Sequence, residues 1–498
     1  MTTTLLPVQL VVEGEPFDRA AVVHTLRHLA MRAGWQFVRD SAHWLVYAVD
    51  ASGGRRAGTR LGPQAVVVLS GPEVADHLRR ALRPVPVATG ADGRLRPFPQ
   101  RLPSPRPGWI DADVIAGAHT CMNLWYERRT QPAVADGWIT WEQDWMARAG
   151  LADPLPLADQ WLDMIHDAAL QMGWPAIKPQ RQSTIVLTHD VDYLPGPRDR
   201  GLPRLARAVY RQLALRRRPA DALRLLSAYL GRAAGSLAPY LELPRIVAAE
   251  QQRGARSSFQ FVVAHAHPAD PQYAAQLPSP VVSSGKAGGD GLANVLSRVP
   301  PGWEVCLHGS YGAARSPGKL AAERVRLETL IGRGVQGFRQ HYLNFEPAGL
   351  FREVAAAQLR YDMSVGYNDR SGPRAGTYFA FRPYDMEARQ EYTFWEIPFV
   401  LMDTTLATTY RLGPHDALAH ARRVLQPAIS AGGCAAIIWH QEQCGGLLDP
   451  GYERVYFDLL DGLAAAGVRL TSGGALLPEL DAAWAATVAA GGAAGAGS

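Results

Sequence analysis

The chain contains few cysteines and carries little net charge, and both facts limit what it can be. Only four of its 498 residues are cysteine, they lie far apart, and none has the spacing of a structural zinc site. Reduced and buried thiols are therefore expected rather than disulfides. The net charge of +5 points to no particular class of partner, and we expect no binding of nucleic acid.

The sequence also lacks the usual signals for export or membrane insertion. Residues 1–12 have neither a basic start nor a long apolar core, so they do not resemble a signal peptide. No window reaches the roughly 18 uninterrupted apolar residues of a membrane span. We therefore expect a cytoplasmic protein, one that could still associate with a membrane surface.

What the sequence does contain divides into two units. In residues 1–175, strand-like runs at 8–12, 44–49 and 65–70 accompany a helical stretch at 18–33, with an apolar residue every third or fourth position. This pattern predicts a smaller α/β domain, whose accessory role the sequence does not disclose.

Residues 180–480 alternate apolar strand-like runs with helical stretches. The six runs are Ile185–Leu187, Phe259–Val263, Glu304–Leu307, Gly334–Arg339, Ile397–Met402 and Cys434–Trp439. Such alternation is typical of a parallel sheet, and six or more units over about 300 residues indicate a (β/α) barrel. The Ala/Gly-rich residues 482–498 are expected to form a disordered tail.

The first of these runs ends in two carboxylates. Asp190 and Asp192 should point to one face of the strand, and His189 to the other, because side chains alternate. If only this run is considered, the two carboxylates could equally be caps of the following turn. Other runs also end in side chains of catalytic type: His308, Arg339 with His341, and His440. These ends are where a barrel carries its active site.

In this order the residues resemble the motifs of the polysaccharide deacetylases, the NodB-homology fold of carbohydrate esterase family 4. The matching segments are Thr188–Asp192 for the first motif, His308–Gly312 for the second, Arg339–Tyr342 for the third and Ile438–His440 for the fifth. The second motif lacks its second histidine, and the fourth is degraded. The resemblance covers roughly residues 180–475 and is greatest to a divergent bacterial subgroup with an extra N-terminal domain.

The resemblance implies a distorted barrel of about seven strands and a role for each motif residue. The implied catalytic residues are Asp190 as the base, His440 as the general acid, Arg339 as the residue that orients the base, and Tyr342, whose backbone N–H helps to bind the oxyanion. The implied metal ligands are Asp192 and His308, and the metal is expected to be a divalent ion, zinc first.

A catalytic zinc usually has about three protein ligands, and the motifs supply only two. Arg339 and His341 are two residues apart on a strand, so His341 faces the site if Arg339 does. We therefore consider His341 as the third ligand. The sequence leaves other readings open: a hydrogen-bonded or substrate-contacting His341, ligation by His189, an empty third position, or no metal.

The expected function is metal-dependent removal of an N-acetyl group from a sugar in cell-envelope or exopolysaccharide metabolism, a hydrolysis of a carbon–nitrogen bond other than a peptide bond. The alternatives are a hydrolase of another such bond, and a non-catalytic binding or assembly protein that has lost the metal. Residues 198–232 hold ten arginines and two acids. They form either a solvated helix pair or a basic amphipathic element that contacts anionic membrane near a lipid-linked carbohydrate.

Overall fold

The structure is a computed structural model. It describes residues 5–13, 16, 18–49, 64–70, 87–89, 95–97, 107–130, 139–177, 181–192, 243–271, 273–274, 299–445 and 451–489. Scattered positions between 206 and 228, and residues 292 and 296, are also described. Most of the arginine-rich segment 198–232 therefore lies outside the described residues.

The first unit is built on a five-stranded parallel sheet in the order β2-β1-β3-β4-β5. Its elements are β1 (Leu6–Glu13), α1 (Arg19–Ala33), β2 (Trp35–Val38), β3 (Trp44–Ala48), β4 (Ala65–Leu69), β5 (Trp109–Ile110), α2 (Val114–Met122), α3 (Trp125–Thr130) and α4 (Leu157–Gln171). Helix α1 starts at Asp18, whose carboxylate accepts the N–H groups of Ala20 and Ala21, and it ends at Gly34 with φ of 72°. The expected α/β pattern is confirmed.

The second unit is a curled parallel sheet whose main path is β11-β10-β9-β8-β7-β6-β13-β12, with β14 also paired to β6. Its strands are β6 (Thr184–Val191), β7 (Ser258–Phe261), β8 (Glu304–Gly309), β9 (Gly337–Gln340), β10 (Tyr361–Asp362), β11 (Trp395–Glu396), β12 (Phe399–Met402), β13 (Cys434–Ile438) and β14 (Arg469–Thr471). The predicted (β/α) barrel is confirmed, with eight strands on the main path where about seven were expected.

Helices connect several of these strands. They are α5 (Leu243–Gln252), α6 (Lys319–Ile331), α7 (Pro347–Ala356), α8 (Pro414–Ser430), α9 (Tyr452–Ala465) and α10 (Leu477–Ala485). Every residue of β6 is buried, as expected for a strand covered on both faces. Helix α10 extends as far as Ala485, into the range 482–498 that was predicted as a tail, and Val488 pairs with Phe37 of β2. Residues 486 and 488 thus contact β2 of the first unit, residues 490–498 lie outside the described residues, and the tail stays a prediction.

Buried polar contacts hold the two units together. Arg374 donates two hydrogen bonds to the carboxylate of Glu127 on α3, at 3.0 and 2.6 Å. Asp159 on α4 accepts from the hydroxyl of Thr377 at 2.6 Å and from the N–H of Tyr378 at 2.8 Å. One continuous hydrophobic core runs through both units. The boundaries 1–175 and 180–480 stay a prediction.

Two expectations about the chain as a whole can be compared with the structure. All four cysteines are free, as expected. Across the described ranges, no helix combines the length and the apolar character that crossing a membrane would require.

Strand register brings the ends of the central strands to one place. Thr188 of β6 lies beside Ile438 of β13, so Asp190 and His440, each two residues further on, come to the same height. His308 of β8 lies beside Arg339 of β9 in the same way. The site residues therefore meet at the carboxyl edge of the sheet, where parallel α/β folds place their ligands.

Candidate active site

Three side chains at this edge form a potential metal centre. The Oδ1 atom of Asp192 lies 3.4 Å from Nε2 of His308 and 3.6 Å from Nε2 of His341. One ligand atom from each residue falls within 4.8 Å of the other two. The structure thus brings His341 together with the two ligands that the motifs suggested. Gly312, where the second motif would carry its second histidine, has no side chain to offer and a φ of 78°.

The orientation of each imidazole leaves Nε2 facing Asp192. Nδ1 of His308 lies 3.0 Å from the carbonyl oxygen of Arg339, so Nδ1 carries the hydrogen and Nε2 keeps its lone pair. Nδ1 of His341 faces Oδ1 of Asp270 at 3.5 Å. Oδ1 of Asp192 is buried and has no hydrogen-bond partner in the described part of the chain. Two imidazole nitrogens and a carboxylate oxygen are a donor set that suits a catalytic zinc ion.

Positive charge surrounds Asp192. Burial alone would raise the pKa of its carboxyl group, but His341 and His308 outweigh burial and hold that pKa well below its usual range. Asp192 in turn helps to raise the pKa of His341 to about 9, against the opposing effect of burial. Without a metal ion, a proton on His341 therefore helps to balance the carboxylate, and a bound cation would displace it.

Asp190 lies next to this triad and is held by Arg339. Nη1 of Arg339 donates to Oδ1 of Asp190 at 2.6 Å and to the hydroxyl of Thr188 at 2.8 Å, and Nε donates to the carbonyl of Met363 at 2.9 Å. Oδ2 of Asp190 lies 3.6 Å from Nε2 of His308. Burial raises the pKa of Asp190, but the charge of Arg339 leads a set of cations that lower it overall. Asp190 is thus an ionised carboxylate able to accept a proton.

His440 joins the group from the end of β13, next to Asp192. Its Nε2 lies 3.7 Å from Oδ2 of Asp192, and its Nδ1 lies 2.6 Å from Oδ1 of Asp403. The backbone N–H of His440 also donates to Asp403, at 2.9 Å. Burial lowers the pKa of His440, but Asp403, Asp192 and Glu442 raise it well above the usual value. His440 can therefore carry a proton, and its two contacts with Asp403 fix the orientation of the imidazole ring.

Tyr342 stands at the rim of the site. Its side chain is 51% exposed and its ring centre lies 4.6 Å from that of His341. Its φ of 55° is in the left-handed region, which is costly for a bulky side chain and is often found at functional sites. The rings of Tyr311 and His267 stack beside it, with centres 4.2 Å apart. The contribution of the Tyr342 N–H to an oxyanion site stays a prediction.

His189 points away from the metal centre, as strand alternation predicted. Its Nδ1 donates to the carbonyl of Trp439 at 2.7 Å, and its Nε2 lies 2.9 Å from a carboxylate oxygen of Glu250. Glu250 also accepts hydrogen bonds from Ser257, Trp303 and Tyr456. His189 belongs to a buried structural network on the other face of β6.

Two acids of the site were not identified from the sequence. Asp403 follows β12 directly, so it shares the pattern of an acid at a strand end that singled out Asp190, and that pattern could have revealed it. Asp270 lies in a loop after β7, where no periodicity fixes the direction of a side chain. Only the folded chain shows that it faces His341.

Among solved structures, several similar chains are described as polysaccharide deacetylases or as members of the CE4 family. A Mycobacterium smegmatis protein with a provisional description of that kind is 16% identical, with a TM-score of 0.36, over 62% of this chain and 93% of the other. A Pseudomonas aeruginosa PAO1 protein, also provisionally described so, is 13% identical, with a TM-score of 0.34, over 48% and 72%. A CE4-family pseudoenzyme from Bacillus anthracis is 10% identical, with a TM-score of 0.31, over 59% and 66%.

The chain is similar to polysaccharide deacetylases. No protein-family model matches it, and neither does any curated protein. Similarity at this level carries no information on activity, which has to be argued from the site.

Proposed function

We propose that the protein is a metal-dependent hydrolase that removes an N-acetyl group from a sugar. The observation that carries this proposal is one cluster in which a carboxylate and an imidazole lie 3.6 and 3.7 Å from members of a potential metal triad. Arg339 holds the carboxylate of Asp190 at 2.6 Å, and Asp403 holds the imidazole of His440 at 2.6 Å. Amide hydrolysis needs such a base and such an acid on either side of the reacting carbonyl.

Asp192, His308 and His341 would hold the metal ion. When bound, a divalent ion such as zinc polarises a carbonyl and lowers the pKa of water. Asp190 takes the proton of the attacking water, and Arg339 keeps Asp190 ionised until that moment. His440 then gives a proton to the leaving nitrogen, while Asp403 stabilises the imidazolium form. Each proton transfer thus has a side chain placed for it on this chain.

The carbohydrate class of the substrate rests on the motif resemblance and on the rim. The exposed ring of Tyr342, with Tyr311 6.0 Å away, gives the site an aromatic wall. An aromatic surface beside a polar centre is suited to a ligand that has both apolar ring faces and hydroxyl groups, as a sugar does. We place this substrate in cell-envelope or exopolysaccharide metabolism, free or lipid-linked.

We further propose that residues 198–232 contact an anionic membrane from a cytoplasmic location. Large apolar side chains are exposed at described positions of this segment: Tyr210, Leu213, Leu223 and Leu226, with exposures of 62, 49, 67 and 39%. Arginines beside exposed leucines are typical of an interfacial element. The protein should float with liposomes that contain anionic lipid and not with neutral ones. Equal behaviour with both would contradict the contact.

The function is tested by metal analysis of the purified protein and by acetate release from N-acetylated sugars. The wild type should bind one zinc ion per chain and release acetate. Asp190→Asn should keep the metal and lose activity by roughly 100-fold or more, because only the base is removed. His341→Ala should lose activity and bind zinc much more weakly, because two of the three proposed ligands remain. If the purified protein bound no metal and released no acetate, the non-catalytic alternative would be favoured. Gly312, which stands where the second motif has a histidine, supports that alternative.

A further inference from the structure

We propose that Asp270 is the positioning residue that makes His341 a metal ligand. The inference rests on the proposed metal site and adds to it a residue outside every motif. The motif resemblance implies a histidine on the loop after β8 at the position where this chain has Gly312. His341 reaches the same centre from the end of β9. Since this imidazole approaches the centre from β9, it needs a neighbouring group of its own to fix the orientation of its ring.

Asp270 is placed to be that anchor. Its side chain is fully buried, and its Oδ1 lies 3.5 Å from Nδ1 of His341, on the side of the ring opposite Asp192. Nδ1 of His341 is buried and has no hydrogen-bond partner among the described residues, and the Asp270 carboxylate is the group that faces it, at 3.5 Å. A carboxylate facing Nδ1 selects the tautomer that has its hydrogen there, and so leaves the lone pair of Nε2 for a metal.

The carboxylate is itself fixed by three backbone groups. Its Oδ1 accepts the N–H of Tyr311 at 2.6 Å, and its Oδ2 accepts those of Ala266 and His267, both at 2.8 Å. Oδ2 therefore binds backbone groups of the loop that contains Asp270 itself. Oδ1 lies between the N–H of Tyr311, on the loop after β8, and the ring of His341. Asp270 thus fixes the ring and, through Tyr311 and His267, the aromatic rim in one arrangement.

Zinc binding to Asp270→Asn tests the inference, measured by calorimetry or by competition with a chelator. The amide that replaces the carboxylate oxygen can no longer accept from both loops and from the ring. We expect zinc affinity to fall roughly 10- to 100-fold, the range typical of lost outer-shell partners. Asp385→Asn is a matched control, because Asp385 accepts two backbone N–H groups and a tyrosine hydroxyl in a turn on the polypeptide surface. It should bind zinc like the wild type.

A double-mutant cycle separates positioning from general damage to the fold. In the His341→Ala background, where residual affinity comes from Asp192 and His308, Asp270→Asn should change affinity by less than about two-fold. An equal loss in both backgrounds would overturn the inference, and so would unchanged affinity in Asp270→Asn. If Asp270→Asn does not fold, Asp270→Glu replaces it, with the same expected loss and the same overturning result. A wild type that binds no zinc would instead overturn the proposed function.

Discussion

At the scale of single residues, the pair of His440 and Asp403 predicts a pH dependence. A general acid works only while it carries its proton, and Asp403 helps to keep the pKa of His440 well above its usual value. Asp403→Asn removes that charge and lowers the pKa, so the imidazole loses its proton at a lower pH. We expect the basic limb of the kcat/KM profile for acetate release to move to lower pH by about one unit or more.

The zinc content of the variant is the control for this experiment. Asp403 touches none of the three proposed ligands, so zinc content should be unchanged in Asp403→Asn, and any shift can be assigned to His440. A basic limb at the wild-type position would mean that another group donates the proton.

Strand residues of the site could be predicted from sequence because a strand has only two faces. Counting in steps of two placed Asp190 and Asp192 together, turned His189 away and made His341 follow Arg339 into the site. The same counting says nothing about Asp270. Its direction is set by three backbone N–H groups that come from its own loop and from the loop after β8. A contact between distant loops exists only after both strands are paired.

At the scale of elements, the joint between α3 and the barrel unit is formed by Glu127 and Arg374, and breaking it should cause a large loss of stability. Glu127 and Arg374 are both almost fully buried and form a two-bond ion pair. Glu127→Ala removes the carboxylate that is hydrogen-bonded to this buried guanidinium, and breaking a buried pair costs about 3–5 kcal/mol in comparable cases. Urea unfolding should show a loss of that size in the free energy of unfolding.

Glu479→Ala is the matched control. Glu479 pairs with Arg469 at 2.6 Å, but its side chain is 64% exposed, so its removal should cost no more than about 1 kcal/mol. Similar losses for the two variants would show that burial does not govern the joint between the units.

Long strands and short strands differ in how well a sequence reveals them. β6 and β13 are buried apolar runs that stand out in any window, because burial on both faces demands such residues. β10 and β11 have two residues each, too few to show a period, and each ends in an acid. Their place in the sheet is given by pairing with neighbouring strands, which explains why neither is among the six strand-like runs of the sequence.

At the scale of the whole molecule, a group of buried histidines makes stability depend on pH. His24 and His28 on α1 and His119 on α2 cluster against Tyr384 and Trp484 of the second unit, with ring centres 4.5–6.2 Å apart. Burial lowers the pKa of His28 and of His119 to about 3, and that of His24 well below the usual value. The charges of neighbouring arginines act in the same direction as burial: Arg27 on His24 and His28, Arg32 and Arg382 on His28, and Arg128 on His119. A backbone hydrogen bond with Arg382 opposes them at His24 and His28. Asp18 opposes them at His119.

The sign of the dependence follows from which state binds protons. Below pH 6.5 the unfolded chain protonates these histidines and the folded chain does not, so acid favours unfolding. Stability is complete above pH 6.5 and is lost progressively down to pH 3, by about 1.4 kcal/mol per pH unit for each histidine.

His28→Gln removes one of these groups, so the free energy of unfolding in urea should fall less steeply between pH 6 and pH 4. His415→Gln changes a side chain that is 96% exposed and should keep the wild-type slope. An unchanged slope in His28→Gln would mean that the joint between the units opens and hydrates this histidine before the chain unfolds, so that the two units separate first.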